Sequence, residues 1–277
     1  MLTKDFSIRL ISTGLLGSLF LLSCAGRSET NPEIWALEWQ DEFNGARGTA
    51  PDSTKWGYDI GTGWGNQQLE FDTDLPRNAS MDGEGNLAIT AYEESYENRA
   101  YTSARIVSRD KFEPTYGKYE ARIKMPTGQG MWPAFWLLGA DIARVGWPQC
   151  GEIDIMEYRG QEPHVIQGTV HGPGYSGSAG IDKSMTIQGD RFDENFHIFS
   201  VEWRPESIRW YMDNTLYHEV EPEDLPGKWV FDHPYYLILN LAVGGSYVGA
   251  PDSTTVFPQS LLVDYVRVYK LITQLKN

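Results

Sequence analysis

Residues 116–125 read YGKYEARIKM, and the alternation in this stretch decides the fold class. Apolar residues alternate with charged ones in its second half: Tyr119, Ala121, Ile123 and Met125 against Glu120, Arg122 and Lys124. Side chains of a β-strand point alternately to its two faces, so the pattern predicts a strand with one buried face and one face in water. A sheet that covers a core on one side is the expected setting.

Similar stretches recur along the chain. We expect further strands at 86–91, 103–108, 152–157, 166–171, 197–203, 207–213, 216–220, 235–243 and 261–271. Glycine and proline separate them, MDN at 212–214 suggests a hairpin, and sustained helical periodicity is lacking. Many short strands without βαβ alternation predict an all-β protein, a β-sandwich or jelly roll of antiparallel sheets.

Composition narrows the class of ligand. The 277 residues carry a net charge of −15, which argues against nucleic acid or anionic lipid as the main ligand. The charge also disfavours sulfated polysaccharides, although a local basic patch could override it. The 10 Trp and 15 Tyr residues exceed what a core needs, and sugar clefts use aromatic faces as platforms for pyranose rings. A neutral polysaccharide fits best, bound by a protein that we expect to be a monomer.

The N-terminus has the features of a targeting segment. Lys4 and Arg9 precede the apolar stretch 10–22, which is too short to span a bilayer comfortably. LLSC ends this stretch and resembles a bacterial lipoprotein signal, in which Cys24 would be lipidated. The alternative is an ordinary cleaved secretory signal, because Leu22 stands where such motifs more often carry a smaller residue.

Domain organisation follows from that signal. We expect a signal peptide over 1–23, a polar tether over 24–33 and a single domain over 34–277. The mature protein would lie outside the cytoplasm, anchored to a membrane through Cys24, with the outer membrane or cell surface favoured. Acylation of Cys24 would leave Cys150 without a disulfide partner, and we expect Cys150 to be a small buried side chain.

The stretch GEIDIMEY at 151–158 raises the question of which strand face each of its three acids occupies. Glu152 and Asp154 lie two residues apart and share a strand face, whereas Glu157 is five residues from Glu152 and should point the other way. One extra residue, absorbed as a β-bulge near Ile155 or Met156, would return Glu157 to the shared face.

A bulged strand of this kind suits glycoside hydrolysis. The two glutamates would stand about 13 Å apart at their Cα atoms, and their side chains could close to the ~5–5.5 Å of a retaining pair. Repulsion among three carboxylates would separate their pKa values, with Asp154 sharing a proton. Two alternatives remain: a calcium site, although calcium loops are richer in Gly, Asn and Asp, or a solvated strand edge.

Several stretches together resemble glycoside hydrolase family 16, and within it the bacterial laminarinase-like endo-β-1,3-glucanases. They are WGNQQLEF (64–71), YTSARI (101–106), MWPAFWLLG (131–139), VGWPQCGEIDIMEYRG (145–160), GTVHGPGYSG (168–177), LNLAVGG (239–245) and VDYVRVY (263–269). The resemblance runs from Trp35 to about Lys270. It implies a jelly-roll sandwich with a substrate cleft across the concave sheet.

The resemblance also implies residue roles. Glu152 would be the nucleophile, Asp154 the assisting acid and Glu157 the acid/base. The expected substrate-binding residues are the sugar-stacking Trp136, Trp132 and Trp147, the hydroxyl-binding Asn66 and Arg105, and His171 near the leaving group.

Each binding role has a plainer competitor. Trp132 could belong to the core, Arg105 could be a surface or salt-bridged residue, and His171 could be a hydrogen-bonded structural histidine. One departure concerns QQLE at 67–70, where many laminarinases carry NELQ; it affects the distal cleft and fine specificity rather than the reaction.

A structural calcium ion is a further implication, and catalysis itself needs no cofactor. The candidate ligands are the carboxylate of Asp264 and main-chain oxygens near Glu42 and in the turn that ends at Gly85. Asp264 lies inside the apolar run LLVDYV and needs a partner. A salt bridge to Arg267 or Lys270 is the alternative.

The sequence thus predicts a retaining endo-β-1,3-glucanase acting on β-1,3-glucan or mixed-linkage β-glucan. A lichenase-type or other neutral-polysaccharide specificity is the first alternative. The second is a non-catalytic glycan-binding lipoprotein, which would have no need of Glu152, Asp154 and Glu157 together.

Overall fold

The computed structural model describes residues 33–273, and within them β-strands account for nearly all regular structure. The strands are β1 (Glu33–Asp41), β2 (Gly57–Tyr58), β3 (Glu70–Asp72), β4 (Ala79–Met81), β5 (Leu87–Tyr96), β6 (Arg99–Ser103), β7 (Arg105–Val107), β8 (Gly117–Lys124), β9 (Met131–Gly139), β10 (Glu152–Tyr158), β11 (Val165–His171), β12 (Ile181–Thr186), β13 (His197–Arg204), β14 (Ser207–Met212), β15 (Thr215–Val220), β16 (Tyr235–Val243) and β17 (Gln259–Thr273). One helical turn, α1 (Ile142–Val145), and two 3₁₀ turns, Gly177–Ala179 and Pro222–Asp224, complete the set.

The strands form two sheets. The ten-stranded sheet has the order β15-β14-β13-β8-β17-β5-β6-β3, with β1 paired to β17 and β4 to β5. The seven-stranded sheet has the order β12-β11-β10-β9-β16-β7-β2. This two-sheet architecture confirms the predicted all-β jelly-roll sandwich. The parallel pair β3–β6 is an exception to the predicted antiparallel sheets.

The core lies between the inner faces of the two sheets. Tyr119, Ala121 and Ile123 of β8 are fully buried there, as the alternation in YEARIKM predicts. Strand β16 is buried along its whole length because both of its faces are covered, one by the core and the other by residues of the cleft. Bulky aromatic side chains such as Trp203 and Trp210 span the space between the sheets and fix their separation.

The two ends of the described segment, residues 33–273, meet in one ladder. Glu33, the first described residue, pairs with Thr273, and β1 then runs antiparallel to β17 as far as Asp41. The domain therefore includes Glu33, which the sequence assigned to the tether. The predicted signal peptide and Cys24 lie outside the described residues. No helix within residues 33–273 is long and apolar enough to cross a membrane.

Candidate active site

Strand β10 contains the predicted bulge. Asp154 pairs with Trp136 of β9, and the next pair joins Met156 to Phe135, so that Ile155 is the extra residue. On the other side of β10, the register to β11 shifts in the same interval, between Asp154 and Glu157. The bulge restores the parity of Glu157, and the side chains of Glu152, Asp154 and Glu157 all line one cleft.

The backbone carbonyl of Asp154, at the start of the bulge, accepts a hydrogen bond from a side chain of the opposite sheet. The indole Nε1 of Trp210, reaching across the core from β14, donates a hydrogen bond to the backbone oxygen of Asp154 at 2.8 Å. Gly168 of β11 lies opposite the bulge, and a Cβ there would come within 2.5 Å of the Trp210 ring. A larger residue at position 168 would push Trp210 away from the bulged strand.

A cleft of about 590 Å³ covers the outer face of the seven-stranded sheet. All nine predicted catalytic and substrate-binding residues line it: Glu152, Asp154, Glu157, Trp136, Trp132, Trp147, Asn66, Arg105 and His171. They come from β7, β9, β10, β11 and two loops, so the sheet brings together residues that are up to 105 positions apart in sequence, from Asn66 to His171.

Tryptophan side chains hold the two glutamates. Nε1 of Trp132 donates to Oε1 of Glu157 at 3.1 Å, and Nε1 of Trp147 donates to Oε2 of Glu152 at 2.8 Å. Thr169 Oγ1 donates to the other oxygen of Glu157 at 3.4 Å. Both residues line the cleft, but Trp132 is buried whereas Trp147 is exposed.

The cluster perturbs the pKa values of all three carboxyl groups. Removal from bulk water, with the negative charge of Glu152, raises the pKa of Glu157 to about 7, although His171 and the donors on Trp132 and Thr169 oppose the shift. Burial and the charge of Asp154 raise the pKa of Glu152 to about 8. Burial and the charge of Glu157 raise the pKa of Asp154 well above its usual range. Near neutral pH, the Glu152–Asp154 pair therefore holds at least one proton.

His171 stands beside this proton-sharing pair. Its Nε2 lies 3.3 Å from Oδ2 of Asp154 and 3.9 Å from Oε1 of Glu152. Ligand atoms of these three residues fall within 4.8 Å of one another and are of types that a divalent cation accepts. A cation at this point would bind the same carboxylates for which the sequence predicts catalytic roles.

A stack of aromatic and cationic side chains forms the opposite side of the cleft. The guanidinium of Arg105 lies 4.7 Å from the Trp136 ring centre and 5.1 Å from that of Trp64. Asp59 accepts from Arg105 at 3.1 Å and also pairs with Arg109. Arg105 is thus salt-bridged, as the plainer interpretation predicted, and it also lines the cleft; its binding of sugar hydroxyls stays a prediction.

Sequence reasoning missed three residues of this wall. Trp64 lines the cleft and donates to Asp72 at 2.8 Å, and Asp59 anchors the two arginines. Asn240 accepts the indole N–H of Trp136 at 2.8 Å. A signal existed for Asn240, because it is the one amide in the apolar run YYLILNLAV, and a polar residue in a buried strand needs a partner. Asp59 has no comparable signal.

Two residues of the QQLE segment at 67–70, Gln68 and Glu70, lie in different environments. Gln68 lines the cleft, whereas Glu70 is buried and accepts the backbone N–H of Val243 at 2.8 Å. Burial raises the pKa of Glu70 to about 7. Glu70 therefore supports the end of strand β16 and is not part of the cleft lining.

The predicted calcium ligands have protein partners of their own. Asp264 pairs with Arg122 at 2.5 Å, so a salt bridge is present but its predicted partners, Arg267 and Lys270, were wrong. Glu42 forms a two-pronged ion pair with Arg267, at 2.7 and 2.9 Å. Gly85 has the positive φ, +91°, that its turn requires. Arginines thus pair with the carboxylates of both Asp264 and Glu42, and the calcium ion stays a prediction.

Cys150 is fully buried, as predicted, and burial raises the pKa of its thiol to about 12. A thiol of this kind stays protonated and is a poor nucleophile. It belongs to a small buried cluster with Leu138 of β9 and Tyr236 of β16.

A jelly roll with three clustered carboxylates and tryptophans in one cleft defines a carbohydrate-active enzyme of the glycoside hydrolase class. The sequence matches Glycosyl hydrolases family 16 over residues 64–266, and the chain belongs to this family. A beta-glucanase of Rhodothermus marinus is 42% identical over 274 residues, covering 95% of this chain and 92% of that protein. A glucan endo-1,3-beta-glucosidase A1 of Niallia circulans is 37% identical, covering 87% of this chain and 39% of that protein.

A solved structure shows the same architecture. The laminarinase catalytic domain of Thermotoga maritima MSB8 superposes with a TM-score of 0.81 at 46% identity. The match covers 85% of this chain and 98% of that domain.

Proposed function

We propose that this chain is a retaining endo-β-1,3-glucanase that hydrolyses β-1,3-glucan or mixed-linkage β-glucan by double displacement. The bulge in β10 carries the proposal, because it aligns Glu152, Asp154 and Glu157 along one cleft. The relatives and the solved structure named above, which are glucanases of the same family, support the choice of β-glucan.

Glycosylation is the first step. Protonated Glu157 donates its proton to the glycosidic oxygen while the carboxylate of Glu152 attacks the anomeric carbon, so that the leaving sugar departs as an alcohol and a glycosyl ester forms on Glu152. Asp154 takes the shared proton in this form and leaves Glu152 ionised. The N–H of Trp147 stabilises the Glu152 carboxylate before attack.

Deglycosylation reverses the proton transfer. The carboxylate of Glu157 accepts a proton from a water molecule, whose oxygen attacks the anomeric carbon and breaks the ester to Glu152. Two inversions return the β configuration. The wall formed by Trp64, Arg105 and Trp136 gives the glucan a stacking surface and hydroxyl partners, as aromatic and polar groups do in sugar sites.

One experiment tests this function. Incubation with laminarin, curdlan and lichenan should release oligosaccharides from at least the first two, with the β anomer appearing first by NMR. The α anomer first would contradict the retaining mechanism, and lack of cleavage of any β-glucan, as expected of a pure glycan-binding protein, would contradict the function. The ratio of laminarin to lichenan turnover would decide between β-1,3 and mixed-linkage preference.

Azide rescue of alanine variants, measured with an activated aryl glycoside, distinguishes the nucleophile from the acid/base. Glu157→Ala should regain activity with azide and yield a β-glycosyl azide, whereas Glu152→Ala should yield the α product. The reverse pattern would exchange the assignments. Each variant should lose about 10²–10⁴-fold in turnover of natural glucan.

The proposal extends to the location of the enzyme. Residues 1–24 support export and lipidation at Cys24, which would hold the enzyme at a membrane facing polymeric substrate outside the cytoplasm. Fractionation of cells expressing the chain tests this: wild type should partition with membranes, and Cys24→Ala should not. Equal partitioning of the two would contradict lipid anchoring.

A further inference from the structure

A chain of hydrogen bonds runs from Glu157 away from the catalytic carboxylates. Thr169 Oγ1 donates to Glu157 at 3.4 Å, Gln167 Nε2 donates to Thr169 Oγ1 at 3.4 Å, and Tyr247 Oη donates to Gln167 Oε1 at 3.2 Å. Every donor in this chain points toward Glu157. Hydrogen bonds that share one direction polarise one another and favour negative charge at the accepting end.

Tyr247 also reaches Glu157 by a second route. Its ring packs against that of Trp132, with centroids 4.9 Å apart and a tilt of 43°. Trp132 in turn donates its indole N–H to the other oxygen of Glu157. The guanidinium of Arg159 lies 4.9 Å from the Tyr247 ring centre and holds that ring from a further direction. Tyr247 is therefore linked to both Glu157 oxygens, directly through Trp132 and by way of Gln167 through Thr169.

We propose that Gln167 and Tyr247 are positioning residues for the acid/base Glu157, acting through Thr169 and Trp132. The inference rests on the proposed function, since it assumes that Glu157 donates and accepts the catalytic proton. Neither residue touches the reacting atoms in this arrangement; both fix the orientation and the charge preference of the group that does.

The hydrogen-bond chain acts on the ionised form of Glu157. Once Glu157 has given its proton to the leaving group, the donors on Trp132 and Thr169 stabilise the resulting carboxylate. These donors also lower the pKa of Glu157 against the larger effect of its burial. Burial and the charge of Glu157 raise the pKa of Tyr247 above its usual range, so Tyr247 stays protonated and remains a donor at working pH.

Other titratable groups act on Glu157 from several elements. They are Glu152 and Asp154 on β10, His171 on β11, Tyr217 on β15 and, through Tyr247, Arg159 after β10. Neither Tyr247→Phe nor Gln167→Leu substitutes any of these groups, and the Phe ring keeps the face that Arg159 contacts. A shift in the pH profile of these variants therefore reports on the hydrogen-bond chain.

Two substrates distinguish a positioning role from simple support of the fold. Cleavage of laminarin needs a proton from Glu157 for the leaving sugar, whereas 2,4-dinitrophenyl β-laminaribioside has a leaving group that departs without one. For both substrates, kcat/KM reports the glycosylation step.

Thr169→Val should lower kcat/KM for laminarin about tenfold, as expected for loss of a hydrogen bond to a charged group. Tyr247→Phe and Gln167→Leu should each lower it about threefold, because their effect is relayed. In all three variants the basic limb of the laminarin pH profile should move upward, since the carboxylate loses stabilisation. The kcat/KM for the dinitrophenyl substrate should stay within about twofold of wild type.

Tyr265→Phe serves as the matched control. Tyr265 donates to Glu120 at 3.0 Å on the ten-stranded sheet, far from the cleft, so its loss removes one tyrosine hydrogen bond without affecting Glu157. The control should keep wild-type values with both substrates and an unshifted limb.

Two results would overturn the proposal. An unshifted basic limb and wild-type laminarin kinetics in Tyr247→Phe and Gln167→Leu would show that the chain does not influence Glu157. Equal losses on both substrates would show a structural role. Failure of the wild-type protein to cleave either substrate would instead contradict the proposed function, so the two failures are distinguishable.

Discussion

Single tryptophan residues serve two purposes at this site. Trp132, Trp136 and Trp147 each aim an indole N–H at a polar side chain, namely Glu157, Asn240 and Glu152. The hydrogen bond fixes the rotation of the ring, and a fixed ring can present a face to a sugar at little further entropy cost. This explains why a protein of this size retains so many tryptophans near one cleft.

The protonation of Glu157 should set the upper pH limit of activity. Its pKa is raised to about 7, and the general acid must carry a proton, so kcat/KM for laminarin should fall as pH rises through about 7. The measurement is the pH profile of kcat/KM between pH 4 and 9.

The dinitrophenyl laminaribioside provides the comparison for this limb. Its leaving group needs no proton, so its kcat/KM should not decline through pH 7, where that of laminarin declines. Parallel declines for both substrates would assign the basic limb to a group other than Glu157.

At the scale of one element, the bulge of β10 depends on a residue from the opposite sheet. Trp210→Phe keeps most of the buried ring but removes the donor to the Asp154 carbonyl. An unsatisfied buried carbonyl costs about 1–3 kcal/mol, so the variant should unfold at lower denaturant concentration. If the bulge relaxes, Glu157 loses its parity with Glu152, and kcat should fall about tenfold or more while KM changes little.

Trp203→Phe is a matched control for this prediction. Trp203 is also fully buried, and its Nε1 donates to the Phe231 carbonyl at 3.0 Å, away from the catalytic strand. Both variants should lose similar stability, as measured by chemical unfolding, but only Trp210→Phe should lose kcat. Equal kcat in the two would show that the bulge persists without its partner.

The sequence predicted those elements whose pattern is local. Strands with alternating or apolar patterns, such as β8 and β16, and the parity conflict in β10 could be found from spacing alone. Strand β9 was not among the predicted strands; it is continuously apolar and contains Pro133, a residue that disfavours a central strand. The short edge strands β2 and β12 carry too few residues or too little alternation to stand out.

The three clustered carboxylates could be predicted from the sequence, whereas the residues that contact and hold them could not. Glu152, Asp154 and Glu157 lie in one short stretch, whereas Trp210, Gln167 and Tyr247 reach them only through tertiary contacts. Such contacts depend on the register between strands and on the packing of one sheet against the other. A single sequence does not specify either at the resolution of one residue.

At the scale of the whole molecule, buried acids shape the response to pH. Glu70 lies beneath the cleft with a pKa raised to about 7, and Asp72 beside it has a pKa raised well above its usual range. Burial is the first cause in both cases, and the charge of Glu70 further raises the pKa of Asp72. The folded protein therefore holds protons at this point that the unfolded chain would release.

Stability should decline across the pH range in which Glu70 loses its proton. A group with a raised folded pKa contributes its full stabilisation below its unfolded pKa, about 4.5, and loses it as pH rises through about 7. The difference corresponds to about 3 kcal/mol for Glu70 alone. Glu70→Gln keeps an oxygen for the Val243 N–H but cannot ionise, so its free energy of unfolding should depend less steeply on pH between 5 and 7. Urea unfolding at several pH values measures both slopes, and identical slopes would show that Glu70 ionises in the folded protein as readily as in the unfolded chain.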